Sequence, residues 1–332
     1  MKSLLVIRNL SVENANAIAG LTWGFPAISN FLGFSHALSR FVQKEHSQSL
    51  GGCAVICHDH QVHAYQPAGI GNYVFSLTRN PLTKEGSTAP FNEEARMHMD
   101  VSLMIECDFY PEEIDFDSDN DADNSQRFCE QLEDQIIRQR VAGGSITSIG
   151  SVELVEVFEE KRERRQQMRK LLLQSLPGFS LVDRTDLLVE HHASQQAENP
   201  SAEMLDSWLD FSALKYKAES AETEVPDEQS HANWHYVEKP GAGYLVPITV
   251  GYKGISELFP PGEVNNARDS ATPFRFVESA YSVGQWLSPH RAGDIEALMW
   301  RYQSDDDWYL CTNDYATTLD KPSTSKTDHS AQ

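Results

Sequence analysis

"TWGFPAISNFLGFSHALSR", residues 22–40, decides how the first half of the chain is read. Gly24, Phe25 and Pro26 mark a tight lead-in to a helix, with Pro26 expected at the first helical position, where its missing N–H costs nothing. Ile28, Phe31, Leu32, Ser35, Leu38 and Val42 then recur at three- and four-residue spacing, one apolar stripe for a core. Ser29, Gly33, His36 and Arg40 fall on the other face, and a glycine inside a helix costs about 1 kcal/mol relative to Ala. That face raises the question of what comes near it.

Working outward, "SLLVIRNLSV" before this helix reads as a strand, and "GGCAVICHDHQVHAYQ" (51–66) after it as a long alternating strand. "RMHMDVSLMIEC" (96–107) is a further strand, "SQRFCEQLEDQIIRQR" (125–140) a helix and "GSITSIGSVELVEVF" (144–158) a final strand. Strand, helix, strand, strand, helix, strand is the order of a ferredoxin-like α+β fold, shared by RNA-recognition-motif domains and many unrelated proteins. Residues 1–160 are therefore expected to form a βαββαβ core, with an insertion at about 67–95. Residues 161–311 form a C-terminal α+β extension packed on it, and 312–332 a polar, frayed tail.

A chain of 332 residues can bury a sizeable core. No apolar run reaches the roughly 18 residues of a membrane span, the N-terminus lacks a cleavable-leader pattern, and five cysteines show no disulfide framework. The expectation is a cytoplasmic protein without a membrane partner. A net charge of −22 argues against a nucleic-acid partner until its location is considered. Residues 108–134 carry −10 and residues 190–238 carry −9, leaving −3 for everything else, so a local basic groove is compatible with the total. Both acidic segments read as solvated loops or tails, and "AESAETEVPDEQS" (218–230) within the second as a flexible loop.

"DFDSDNDADNSQRFCE" nearly spells a calcium loop, but Asn124 stands where Gly makes the turn and Pro111 precedes it in place of an entering helix. The run Cys53, Cys57, His58, His60 and His63 invites a zinc reading, but Cys53 and Cys57 alternate onto one strand face and His58 and His60 onto the other, which opposes a single site. No metal or cofactor is expected, and no nucleophile elbow or dinucleotide fingerprint is present. Two stretches suit RNA. In the 67–95 insertion, Tyr73, Phe75, Arg79 and Lys84 mix rings that stack on bases with cations that hold phosphates, although the same residues suit a plain surface hairpin. At "IIRQRVAGGSITSIG", Arg138 and Arg140 run into Gly143, Gly144 and Ser145, a backbone able to approach a sugar-phosphate chain, or simply a helix end and turn. Past residue 158, "EEKRERRQQMRKLLLQSLPG" is a basic helix. Arg268, Arg275 and Arg291 lie among Phe274, Phe276, Tyr281 and Trp286.

"NANAIAGLTWGFPA", "FSLTRNPL" with "GSTA", "AGGSI", "LPGF", "YLVP", "PGEVNNARD", "TPFRFVE" and "QWLSPHR" occur in this order between about Leu4 and Arg291. As a set they resemble the second Csy subunit of type I-F CRISPR–Cas surveillance complexes, a Cas-five-like branch of the RAMP superfamily. The resemblance implies a ferredoxin-like core with an extended thumb and a non-catalytic role. It also implies pairing with the large subunit, an adjacent backbone subunit, and binding of the 5′ handle of the CRISPR RNA. Target DNA would be read indirectly, through guide pairing. The RNA-contact candidates that follow are Asn14, Asn16, Trp23, Arg40, Tyr73, Arg79, Asn80, Arg140, Gly143, Gly144, Ser145, Arg268 and Arg275. A competing reading is a metal-independent endoribonuclease with His36 as general base beside Arg40. A third is a scaffold that binds only protein.

Overall fold

The computed structural model describes residues 1–76, 81–90, 94–114, 116, 121–220 and 232–319. The chain is a mixed α/β protein with one large antiparallel sheet and six α-helices among the described residues. None of these helices is long and apolar enough to cross a membrane.

β1 (Ser3–Asn16) leads through a small ribbon, β2 (Ile18–Ala19) and β3 (Thr22–Trp23), into α1 (Ile28–His46). β4 (Leu50–Val62) follows, then a second ribbon, β5 (Ala64–Tyr65) and β6 (Val74–Phe75), and β7 (Arg96–Cys107). α2 (Asp121–Ile136) precedes β8 (Arg140–Val141), β9 (Gly144–Ser148) and β10 (Ser151–Glu156). β1 lies between β7 and the β9/β10 segment, and β4 lies outside β7, every pairing antiparallel. Strand alternation divides the apolar side chains between two faces. Leu5, Ile7, Val55, Leu103 and Ile105 pack under Phe31, Leu38 and Val42 of α1 and Phe128 and Leu132 of α2. Leu4, Val6, Ala54, Ile56 and Met104 pack on the other side against α3 (Lys161–Gln174), through Met168, Leu171 and Leu172.

The α1 stripe is buried at all six expected positions, and Phe34 joins it. Two local expectations need correction. Pro26 is not the first helical residue, because Ala27 is the extended N-cap (ψ 145°) and the helix begins at Ile28. Phe25 stacks on Phe31 with ring centres 5.6 Å apart and meets Trp286 edge-on at 4.9 Å, which holds residues 24–27 over the core as a turn. The expected final strand is two strands, β9 on residues 11–13 of β1 and β10 on residues 3–8. Asn9 is left-handed (φ 49°) at a bulge in β1, so the neighbouring strand breaks too, and Gly150 bridges the gap by donating its N–H to Arg8 O at 2.9 Å.

Much of the acidic stretch 190–238 is regular structure, and residues 221–231, most of "AESAETEVPDEQS", lie outside the described residues. The stretch contains most of α4 (Thr185–Glu198), α5 (Met204–Ser212) and a hairpin of β12 (Lys215–Ser220) and β13 (Ala232–Val237). Trp208 and Phe211 supply the burial that charge counting overlooked, and Trp208 donates its indole N–H to Ser282 O at 2.9 Å.

The last strands close on the first half. β11 (Phe179–Asp183), β14 (Tyr244–Gly254), β15 (Val277–Leu287), β16 (Trp300–Asp305) and β17 (Trp308–Asn313) form the path β11-β15-β14-β17-β16-β4, and β11 also pairs with β4, so these six strands make a ring. The sheet is thus continuous across residue 160. Trp300, fully buried, pairs with Cys53 and donates its indole N–H to Leu181 O at 2.8 Å, tying together β16 and β11, the two strands that flank β4 in the ring. Arg301 reaches over β4 to Glu106 of β7 (Nε to Oε2, 3.0 Å) and also bonds Glu296. The crossing occurs at Gly52, where a Cβ would lie 2.6 Å from the Glu106 carboxylate and 2.7 Å from Trp300 O. Residues 312–319 complete β17 and form α6 (Tyr315–Leu319), and the Asn313 amide donates to Ala297 O and Met299 O.

Candidate nucleic-acid interface

Asn14 through Asn16, the β8–β9 hairpin and the start of β7 meet at one end of the sheet. β8 and β9 are joined by Ala142 (φ 50°) and Gly143 (φ 75°), two consecutive left-handed residues as a two-residue hairpin turn requires. Gly144 is buried against β1: a Cβ there would lie 2.7 Å from Val12 and 2.8 Å from both Ala15 N and Glu13 O. The two glycines therefore differ. Gly143 makes an exposed turn, and Gly144 admits β1. Arg140 donates to Gly143 O at 3.2 Å and has no ion pair among the described residues, which leaves its charge available there. Ser145 is exposed on β9 opposite Glu13.

On β1, Asn14 is also left-handed (φ 55°), and its N–H donates to His98 Nδ1 at 3.2 Å. Asn16 turns the chain into β2 by exchanging bonds between its side chain and Ile18, while its backbone N–H donates to Ala142 O at 2.8 Å. That bond places the β2–β3 ribbon, and with it Trp23, directly after the hairpin contact. Trp23 meets Phe75 edge-on at 5.6 Å, so the base of the 67–95 insertion is held here. Tyr73, beside it, is 60% exposed.

Seven sequence candidates are thus gathered along this end: Asn14, Asn16, Trp23, Arg140, Gly143, Gly144 and Ser145, with Tyr73 next to Trp23. Three residues join them that were not among the RNA-contact candidates. Arg96 Nη1 donates to Asn14 O at 3.4 Å and lies 4.0 Å from where a Gly143 Cβ would be, while Glu94 holds its other nitrogens at 2.6 and 3.1 Å. His63 and His98 meet ring to ring at 4.3 Å. Burial, then the neighbouring His98, keeps His63 below the usual imidazole value and so neutral at pH 7. The signal for Arg96 and His98 was the alternation in "RMHMDV", which looked like ordinary strand, and that for His63 was the histidine-rich run "HDHQVH" at the end of β4.

The remaining candidates lie elsewhere. Arg40 is exposed on the outer face of α1, four residues beyond His36, whose Nδ1 meets the Tyr302 hydroxyl at 3.5 Å. Gly33, on the same face, has nothing within 4 Å of its would-be Cβ, so no described residue explains it. Arg275 is at the far end of β14, bonded to Asp307 at 2.7 Å and Asp306 O at 3.0 Å, and Arg268 precedes it in the same loop. Arg79 and Asn80 lie outside the described residues. Cys53 and Cys57 are core residues, and burial pushes the Cys57 thiol up to about 12, which disfavours the thiolate a metal would need.

A cleft of about 770 Å³ opens beside Trp23, between residues 22–28, the end of β4 and the start of β14. Its floor includes the fixed Phe25–Trp286 pair, and Trp23, Tyr73, Phe179 and Tyr244 stand at its rim.

The profile of one known family, described as CRISPR-associated protein (Cas_Csy2), matches residues 5–311. Over 314 residues, covering 92% of this chain and 93% of the relative, the sequence is 39% identical to CRISPR-associated protein Csy2 of Pseudomonas aeruginosa (strain UCBPP-PA14). The match spans both the Asn14–Arg140 end and the ring of late strands, and the chain belongs to the Csy2 family of type I-F CRISPR–Cas proteins.

Proposed function

We propose that this chain is a non-catalytic, cytoplasmic subunit of a type I-F RNA-guided surveillance complex that holds the 5′ handle of the CRISPR RNA. It would pair with the large subunit and abut the adjacent backbone subunit, and it would meet target DNA only indirectly. Family membership supports the CRISPR complex role. The observation that carries the RNA reading is the meeting of the exposed Arg140–Ser145 hairpin, Asn14 and Arg96 with Trp23 and Tyr73 at one sheet end. Free backbone and guanidinium donors there suit phosphates, and the adjacent rings suit unstacked bases. The antiparallel order β4-β7-β1-β9, with α1 and α2 on one face, supports reading residues 1–160 as a ferredoxin-like core and the 67–95 insertion as its thumb.

The endoribonuclease reading is not favoured. His36 and Arg40 sit on the outer face of α1, outside this cluster, and His36 has only Tyr302 as a described partner. The test is to co-express the chain with and without its partner subunits and sequence the RNA that co-purifies. One small RNA with a fixed 5′ end, retained with the partners and unaltered by His36→Ala, is the expected result. A 5′ end that shifts in His36→Ala overturns the non-catalytic assignment, and absence of RNA from the assembled complex overturns the handle-binding one.

A further inference from the structure

β12 and β13 form a two-stranded ribbon that, among the described residues, pairs with no other strand. An isolated ribbon of this kind is marginal in water unless one face is covered. Residues directly opposite each other share a face, so the register sorts the side chains into two sets. One face carries Lys215 opposite Val237, Lys217 opposite His235 and Glu219 opposite Asn233. The other carries Tyr216 opposite Tyr236, their rings 5.9 Å apart, and Ala218 opposite Trp234. The polar face is the one turned to the body of the protein, since Lys215 bonds Asp210 of α5. The aromatic face therefore points away, and Tyr216, Trp234 and Tyr236 are 60, 68 and 46% exposed. This reverses the usual arrangement, in which an antiparallel pair lays its apolar face on the core.

The rings are also free at their polar ends. Among the described residues neither tyrosine hydroxyl nor the Trp234 indole N–H has a hydrogen-bond partner. Charge then decides what can lie on them. Residues 190–238 carry a net −9, with two Lys and no Arg. Both lysines are already engaged, Lys215 with Asp210 and Lys217 with Glu219 at 3.5 Å. Glu190, Glu203 and Glu238 have no ion pair among the described residues. A nucleic-acid strand laid across the rings would meet this negative field with no cation to take its phosphates. A second copy seated face to face would set one −9 segment against another. A cationic protein surface gains from both the rings and the field. Guanidinium suits it best, being planar enough to stack on the rings while its N–H groups reach hydroxyl and carboxylate oxygens. The chain already uses ring–cation contacts internally: Lys2 lies over Tyr110 and Lys253 over Trp308, each with its Nζ 5.0 Å from the ring centre.

We propose that the aromatic face of the β12–β13 ribbon docks an arginine-bearing segment of a protein partner in the assembled complex. Guanidinium groups stack on Tyr216, Trp234 and Tyr236, and the surrounding carboxylates balance their charge. The inference rests on reading the chain as a complex subunit and adds to it one surface and the chemistry of what sits there. The ribbon is firmly founded for this purpose. α5, which holds it through Asp210, buries Trp208 and Phe211 with Leu245 of β14 and Val283 of β15, so a load on the ribbon reaches the large sheet. The chain thereby keeps two kinds of contact apart: nucleic acid where Arg140 has no anion, and protein where every nearby lysine already has one.

The experiment uses the complex reconstituted from the full chain, its partner subunits and guide RNA. Benzoylphenylalanine in place of Tyr216 is photo-activated, and the adduct is mapped by mass spectrometry. The expected adduct is an arginine-containing segment of a partner subunit. The double variant Trp234→Ala/Tyr236→Ala should weaken incorporation into the complex about tenfold, about 1.4 kcal/mol, and leave the melting of the free chain unchanged, because both side chains are exposed. Glu238→Lys, which keeps every ring, should weaken incorporation about threefold and make it less sensitive to salt. An adduct on RNA, on a second copy of this chain or on a partner segment without arginine overturns the assignment. If no adduct forms and both variants incorporate like wild type, the assignment fails while the subunit reading stands. A wild-type chain that joins no complex overturns both.

Discussion

The two ends of β14 carry opposite kinds of surface. At Tyr244 the strand opens onto the aromatic cleft, near a hairpin whose Arg140, among the described residues, bonds only its own turn. At Gly254 the strand is shut: Arg275 lies over the glycine, 2.8 Å from its would-be Cβ, and is anchored on Asp307 and Asp306. Both ends contain arginine among rings, and the sequence ranked them alike. The difference lies in which arginine already has an anion, which a count of charges cannot reveal.

The contrast requires the strand ring to hold the ends apart, and the largest effect should come from breaking that ring. Trp300→Ala removes a fully buried ring and its bond to Leu181 O, and should lower unfolding free energy by about 3–5 kcal/mol in denaturant titration. A loss below about 1 kcal/mol would mean that β16 and β11 are not coupled across β4. Next in size is the comparison itself. Arg140→Ala should weaken RNA retention about three- to tenfold and reduce the salt-dependence slope by about 1, uniformly across handle sequences. Arg275→Ala should leave RNA retention and salt slope unchanged and cost at most about 1 kcal/mol of stability. Equal effects of the two variants on RNA would erase the distinction between the ends.

Gly33 sharpens the contrast from a third surface. With nothing near its missing Cβ, Gly33→Ala should stabilise the isolated chain by up to about 1 kcal/mol in thermal or denaturant melts. If the same variant assembles poorly with its partners, the outer face of α1 is a contact surface that needs the bare backbone. The smallest effect concerns His63. The fold lowers its proton affinity, so its contribution is fully present above the unfolded imidazole value of about 6.5 and is lost as pH falls below it. The fall in melting temperature between pH 7 and 5.5 should be slightly smaller in His63→Gln than in wild type.

The parts of the fold legible in sequence were those set by local periodicity: the α1 stripe, the alternation of β4 and β7, and the Gly143 turn. What escaped was set by distant partners. Nothing local in "SVELVE" announces that β1 bulges at Asn9 and breaks the strand beside it. Nothing in "WRYQSD" says it will lie beside Cys53. The same holds at the site, where Arg140 and the glycines stood out by composition. Arg96, His63 and His98 became visible only once β7 was placed between β1 and β4. Acidic composition misled for a related reason, since Trp208 and Phe211 fold their segment whatever charges surround them.

β4 has one edge on β7 and the other on β11 and β16. The first edge is satisfied by residue 107 and the second only once residues 179–180 and 300 exist. At translation rates of about 5–20 residues per second, some 12–50 seconds separate the emergence of β4 from that of its last partner. Throughout that interval the nascent chain carries an exposed apolar strand edge of the kind that recruits other chains. A stop anywhere between β10 and β16 should therefore yield an insoluble product rather than a shorter soluble domain.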